Sequence, residues 1–142
     1  MIVIINGPNL NLLGRREPEI YGSTSFADFF TELKTEFRDE EIVCFQSNSE
    51  GEIIDEIQRY GFDESCKGIV LNPGGYSHYS VAIADAVAAV SVPVVEVHVS
   101  NIHAREDFRV MTVTGRSAKG IITGLGLQGY ALAVRYLLKG IS

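Results

Sequence analysis

The chain has 142 residues, one domain's worth by length, with twelve basic against eighteen acidic residues and a formal charge of −6. Hydrophobic residues make up 46% and charged ones 21%, enough apolar surface to exclude a disordered chain, while the acidic balance argues against a nucleic-acid binder, which needs a basic face. No apolar run approaches the ~18 residues of a membrane span, and Met1–Gly7 has no basic leader, so the expectation is one soluble cytoplasmic domain over 1–142.

In chain order, short apolar runs alternate with amphipathic segments. Ile2–Asn6, closed by Gly7-Pro8, reads as a buried strand, and Gly7 to Thr24 as a long loop without hydrophobic period. In Ser25–Phe37, Phe26, Phe29, Phe30, Leu33 and Phe37 recur every three or four residues, which predicts a helix; Thr24 or Ser25 can cap it. Glu41–Gln46 predicts a second strand, with Cys44 as a small buried hydrophobe. Ser49–Tyr60 predicts a second helix, with Ile53, Ile54 and Ile57 on one face and Gly61 as its stop. Gly68–Asn72 is a third strand, Ser77–Ser91 an Ala- and Val-rich helix, and Val94–Val99 a fourth strand behind Pro93. Gly120–Ile122 is a short fifth strand and Gly126–Lys139 the closing helix.

Five β/α units with continuous Val/Ile strands predict an α/β fold: a five-stranded parallel sheet covered by helices on both faces. The flavodoxin-like order 2-1-3-4-5 places a ligand crevice beyond the carboxyl ends of the strands, near the switch between the first and third. The segments after Asn6, after Asn72 and after Glu96 therefore hold the candidate site.

The first of these is long for a β-to-α loop, where about 2–6 residues is usual. It carries Asn6, Asn9, Asn11, the Arg15-Arg16 pair and Tyr21. The asparagines suit turn geometry as well as ligand contact, and the arginines suit either a solvated face or an anion. After the third strand, Asn72-Pro73-Gly74-Gly75-Tyr76-Ser77-His78 leads into a helix. Two glycines there fit a tight turn or a backbone cradle for an anion, although no Walker lysine follows. After the fourth strand's Glu96, His98 lies two residues on and so on the same face. A glutamate beside that histidine would fix its tautomer and favour its protonated form, as suits a general acid. Arg105 and Arg109, four apart on a helical turn, would face one way. All three histidines, His78, His98 and His103, fall in these segments.

None of the four lysines and neither cysteine falls there, which removes Schiff-base and thiol catalysis. No metal-ligand spacing and no Gly-x-Gly-x-x-Gly is present, so neither metal nor cofactor is expected. Tyr, His, Asn, Arg and backbone amides suit proton abstraction beside a carbonyl in an anionic substrate. Tyr21 is a candidate base, since a guanidinium near a phenol favours its ionised form; a loop aromatic that merely packs is an equal reading from chemistry alone.

Four motifs carry a family resemblance over essentially the whole chain. Asn6-Gly7-Pro8-Asn9-Leu10-Asn11 with Arg16-Glu17-Pro18 and Tyr21-Gly22 resembles the opening of type II 3-dehydroquinate dehydratases. So do Asn72 to His78, Glu96 to Asn101 with Arg105 and Phe108-Arg109, and Gly124 to Tyr130. The resemblance implies loss of water from 3-dehydroquinate to give 3-dehydroshikimate, by anti elimination through an enolate, with neither metal nor imine. It implies Tyr21 as the base, Arg16 as the cation steadying it, and Asn9 beside the enolate oxygen. It further implies His98 as the general acid with Glu96 as its orienting partner. Asn72, Gly74, Gly75, His78, Val99, Ser100 and Arg109 match substrate-binding positions, Val99 and Ser100 through backbone amides. Arg105 matches a lid-anchoring position, and Asp85 one that reaches a neighbouring subunit's site in a dodecamer of four trimers. Met111 to Lys119 departs from the commoner His/Ser/Tyr-containing stretch and adds Arg116 and Lys119; this is expected to touch subunit contacts and leave the site intact. A flavin protein of the same fold, a receiver-type regulatory module and an inactive assembly paralogue are the rivals. The long Arg-bearing first loop argues against the flavin, Asn72 in place of an aspartate against the receiver, and the full acid–base set against the paralogue.

Overall fold

In the computed structural model, which describes residues 1–139, the five apolar runs lie side by side as parallel strands in the order β2-β1-β3-β4-β5. They are β1 (Ile2–Asn6), β2 (Ile42–Gln46), β3 (Gly68–Asn72), β4 (Val94–His98) and β5 (Gly120–Thr123). The α/β fold and the strand order are as expected from the sequence; Gly140 to Ser142, the end of the expected 1–142 domain, lie outside the described residues.

Strand side chains alternate between the two faces, and the helices divide the core accordingly. Ile2, Ile4, Val70, Val95 and Val97 pack with Phe29 and Leu33 of α2 (Phe26–Glu36) and Tyr130, Val134 and Leu137 of α5 (Gln128–Leu138). Val3, Ile5, Ile69, Leu71 and Val94 pack on the other face with Ile53 and Ile57 of α3 (Glu50–Gly61) and Ile83 and Val87 of α4 (Val81–Ala89). β1, β3 and β4 are buried throughout, whereas the edge strands β2 and β5 are half open. That edge position corrects the reading of Cys44: it is exposed, in an open hollow on the α2 side lined also by Phe26, Phe30 and Gln46.

Three serines start three of the four long helices. Ser25, Ser49 and Ser80 accept the amides of Asp28, Glu52 and Ile83 at 3.1, 3.3 and 3.0 Å, each cap worth about 1 kcal/mol. The last of these moves a boundary: the helix expected to begin at Ser77 begins at Val81. Gly74–His78 forms a separate 3-10 turn in which Ser77 is fully buried. The long first loop is structured too, with a 3-10 turn at Leu10–Leu12 and one short helical turn, α1 (Pro18–Tyr21). No helix among the described residues is long and apolar enough to cross a membrane.

Candidate active site

Sheet register places the floor of the site. Asn6 of β1 pairs with Asn72 of β3 at the carboxyl ends of the two strands. Both amides are almost fully buried, so both need partners. Tyr130 of α5 supplies them: its hydroxyl accepts from Asn72 Nδ2 at 2.8 Å and donates to Asn6 Oδ1 at 2.7 Å. Asn72 Oδ1 in turn accepts the Gly74 amide at 3.1 Å. Gly74 has φ +60, and a Cβ there would stand 3.1 Å from the Pro8 carbonyl oxygen, so the turn between the β1 and β3 segments needs glycine. Asn6 is thus a structural residue of the floor, while Asn72, Gly74 and Gly75 line the pocket.

Along β4, Val95 and Val97 enter one core and Val94 the other, so Glu96 and His98 share the α4 face. Glu96 is fully buried and His98 nearly so. A carboxylate at such depth is costly unless paired and hydrogen-bonded. It meets His98 Nε2 at 2.9 Å, the Thr112 hydroxyl at 2.7 Å and, closest of all, the Thr114 hydroxyl. Because Nε2 faces Glu96, the other ring nitrogen, Nδ1, is the one left for a ligand. Among the described residues it has no partner, yet it is not sealed off, since there Ser77 Oγ is the one buried side-chain polar atom without a partner.

His78 stacks on His98, ring centroids 6.3 Å apart. Its Nδ1 lies 2.8 Å from the Met111 carbonyl oxygen; a carbonyl only accepts, so Nδ1 carries the proton and Nε2 is bare. Burial holds this imidazole below histidine's usual range, against the Met111 carbonyl and with help from the charges of His98 and Arg109. Met111, Thr112 and Thr114 therefore belong to the site. The Met111–Lys119 stretch, expected to leave the site residues intact, also supports them: it holds both His78 and Glu96.

The opposite component is the first loop. Asn9, at φ 70, precedes the Leu10–Leu12 turn and donates its amide to Asn48 Oδ1 at 3.1 Å. Leu10 and Leu13 are buried and anchor the loop. α1 then presents Tyr21 to the pocket, ending on Gly22 at φ 81. The Tyr21 hydroxyl accepts from Arg105 Nη1 at 2.8 Å, and the same nitrogen lies 3.2 Å from Ser100 Oγ. Arg16 sits over the ring instead, its Cζ 5.2 Å from the centroid. The guanidinium on the phenol oxygen is thus that of Arg105, which the sequence places only as a lid anchor.

The pocket gathers Asn9, Arg16, Tyr21, Asn72, Gly74, Gly75, His78, His98, Val99, Ser100, Arg105 and Arg109, with Glu96 just beneath. Arg105 and Arg109 converge, but from two turns rather than one, since Arg105 follows the turn Ile102–Ala104 and Arg109 ends the turn Asp107–Arg109. Arg109 donates to Glu106 at 2.8 Å. Three candidates fail to reach the pocket: His103 is exposed, its amide capped by Asn101, and Arg15 and Asn11 are exposed and outside the lining. Asp85, expected at a neighbouring subunit's site, is exposed on α4, away from the lining residues. Sequence reasoning missed Thr112, Thr114 and the role of Tyr130. A Thr-x-Thr in an irregular segment carried no signal beyond composition, and Tyr130, though inside the Gly124 to Tyr130 motif, carried none for its role.

Among the described residues no three His, Cys, Asp or Glu side chains gather as metal ligands. The donor set is instead two imidazoles, one phenol, three guanidiniums and amides, a set for moving protons around an anionic oxygenated molecule.

Comparison with known proteins gives the same direction. Residues 1–138 match the family model "Dehydroquinase class II". A 3-dehydroquinate dehydratase of Fusobacterium nucleatum subsp. nucleatum is 54% identical over 142 residues, covering 97% of this chain and 96% of the relative. One of Bacillus licheniformis is 52% identical over 140 residues, covering 97% and 95%. The crystal structure of type II dehydroquinase from Propionibacterium acnes superposes with a TM-score of 0.91 at 42% identity, covering 97% of this chain and 95% of that one.

Proposed function

The chain belongs to the class II dehydroquinase family and is an enzyme with its activity, the dehydration of 3-dehydroquinate; from that premise we propose that Tyr21 and His98 carry the two proton transfers. Tyr21, as the phenolate, takes the proton next to the carbonyl, and the electron pair of that C–H bond moves onto the carbonyl oxygen as an enolate. The enolate then collapses, the carbon–oxygen bond to the departing hydroxyl breaks, and His98 gives that hydroxyl a proton so that it leaves as water. The balance is one proton gained by Tyr21 and one lost by His98, restored through solvent. The product is 3-dehydroshikimate, formed by anti elimination without a Schiff base or metal.

The observation that carries this reading is the pairing of each group with its own support in one pocket. Arg105 donates to the Tyr21 oxygen, and a guanidinium there stabilises the phenolate. Glu96 accepts from His98 Nε2, and so stabilises the imidazolium that donates from Nδ1. Arg16, over the Tyr21 ring, adds positive potential that grows more valuable as charge develops. Asn9 stands beside the enolate oxygen. Asn72, Gly74, Gly75, His78, Val99, Ser100 and Arg109 bind the substrate's hydroxyls and carboxylate. Asp85, exposed away from its own pocket, reaches the pocket of a neighbouring subunit in a dodecamer built from trimers. Two unpaired cysteines, Cys44 and Cys66, fit a reducing compartment and hence the cytoplasm.

The test is direct. Purified protein given 3-dehydroquinate should develop the ultraviolet absorbance of the conjugated enone, and Tyr21→Phe should lower kcat by about 10³-fold while calorimetry still shows substrate binding. A Tyr21→Phe enzyme with near-native kcat overturns the assignment.

A further inference from the structure

Glu96 is the one fully buried carboxylate of the β4 floor, and its three donors are not equivalent. Oε2 meets His98 Nε2 at 2.9 Å and the Thr112 hydroxyl at 2.7 Å, while Oε1 meets the Thr114 hydroxyl. The Thr112 hydroxyl also accepts the Gly115 amide, at 3.0 Å. A hydroxyl has one proton, and of the two acceptors left to it Glu96 Oε2, at 2.7 Å, is nearer than the Thr114 hydroxyl, at 3.2 Å, so the Thr112 proton goes to Glu96. Gly115 makes the approach possible: a Cβ there would stand 2.4 Å from Ile121 Cδ1 and 3.0 Å from Glu96 Oε2.

We propose that Thr112 and Thr114 are positioning residues of the dehydration, whose hydroxyls keep Glu96 a carboxylate and thereby keep His98 a cation. The proposal rests on the reading of His98 as the acid. Two states of the pair hold the same number of protons. In one, imidazolium faces carboxylate. In the other, the Nε2 proton has crossed to Oε2, leaving neutral imidazole with its remaining proton on Nδ1 beside a neutral carboxylic acid. Hydrogen bonds donated to a carboxylate favour its charged form, and a buried carboxylate with a single donor gives that form up. The threonine pair selects the first state. In that state Nδ1–H belongs to an imidazolium and is a competent acid; in the second it belongs to a neutral ring and is far too weak. The titratable and charged groups that face the pair across the pocket are His78, Arg16, Tyr21, Arg105 and Arg109.

The experiment uses the full chain with Thr112→Val, Thr114→Val, the double valine variant, and serine at each position. Valine keeps the threonine shape and removes the hydroxyl, while serine keeps the hydroxyl. Nitrogen-15 spectra of the His98 ring at about pH 5, where an ordinary histidine is protonated, read the charge state independently of turnover. Native protein and both serine variants should show two protonated ring nitrogens. The double valine variant should show one bare nitrogen, with kcat down about 30-fold and KM within about threefold. Should the double variant fail to fold by circular dichroism, Thr112→Val, at the half-exposed position, carries the same reading with a smaller loss. An unchanged ring spectrum with native kcat overturns the proposal. So does equal damage in serine and valine variants, which would mean packing alone. A ring that loses its charge with no loss of kcat overturns instead the acid role of His98, and with it the positioning role.

Discussion

Asn72, Glu96 and His98 leave the ends of β3 and β4, where sheet register and partners distant in the chain fix the side chains. Arg16 and Tyr21 stand on a segment held mainly by bonds over three or four residues, such as Tyr21 to Glu17, 3.0 Å, and Gly22 to Pro18, 2.8 Å. The floor is buried, at 3%, 0% and 6% exposure for Asn72, Glu96 and His98, whereas Ile20 beside Tyr21 is 37% exposed. Regions with few buried contacts open at low free energy, while core strands open only with the whole domain. The proposed acid is therefore built into the fold and the proposed base is carried on the first loop, so damage to the two should read out differently, in stability for the floor and in rate for the loop.

Four measurements sharpen or break that contrast, from the largest effect down. Gly7 donates its amide to the Asn72 carbonyl at 2.7 Å, and a Cβ on it would meet the Pro73 carbonyl oxygen at 2.6 Å. Gly7→Ala should cost about 3 kcal/mol of unfolding free energy, measured by urea titration; a native value would mean the floor is as pliable as the loop. Arg105→Ala removes the donor on the Tyr21 oxygen and should lower kcat about 100-fold, near 2.7 kcal/mol of barrier. Its Tm should hold, and Arg16→Ala should likewise act on kcat far more than on KM. A marked Tm loss in either would make the loop part of the core. Tyr130→Phe strands Asn72 Nδ2 and Asn6 Oδ1 in the interior and should cost about 2 kcal/mol of stability, visible as a lowered urea midpoint. The smallest effect is that of His78, whose folded imidazole is held below histidine's usual range, chiefly by burial. The unfolded chain is then the better proton binder. The contribution of His78 is complete above about pH 6.5 and is lost as pH falls through the lower folded value. Urea titrations should show stability falling on the acid side, with a gentler slope in His78→Gln.

What the sequence disclosed follows the same division. Periodicity is a property of regular elements, so five strands and the four long helices could be read from apolar spacing, and the strand order followed from the usual arrangement of five β/α units. Glu96 and His98 could be paired because alternation along a strand is rigid. Helix starts depend on which serine hydroxyl meets the amide three residues on, and so Ser80, which caps Ile83, displaced Ser77. Cys44 misled because an apolar run does not say that its strand lies at the edge. Irregular segments have no period to read: Arg105 and Arg109 sit on separate turns, His103 faces outward, and Thr112 and Thr114 reach Glu96 through a path no spacing rule describes. Tyr130 lay within a recognised motif, but its role required the register that brings Asn6 beside Asn72.

The Tyr130 hydroxyl has a further effect on what the pocket can recognise. Asn72 has its oxygen engaged by the Gly74 amide and one N–H engaged by Tyr130, which leaves its second N–H to point at a guest. The amide is thereby locked against flipping end for end, and it greets an incoming molecule as a donor, selecting for a lone pair at that spot. A phenol 58 positions away in the chain thus dictates the handedness of a hydrogen-bonding pattern it never touches.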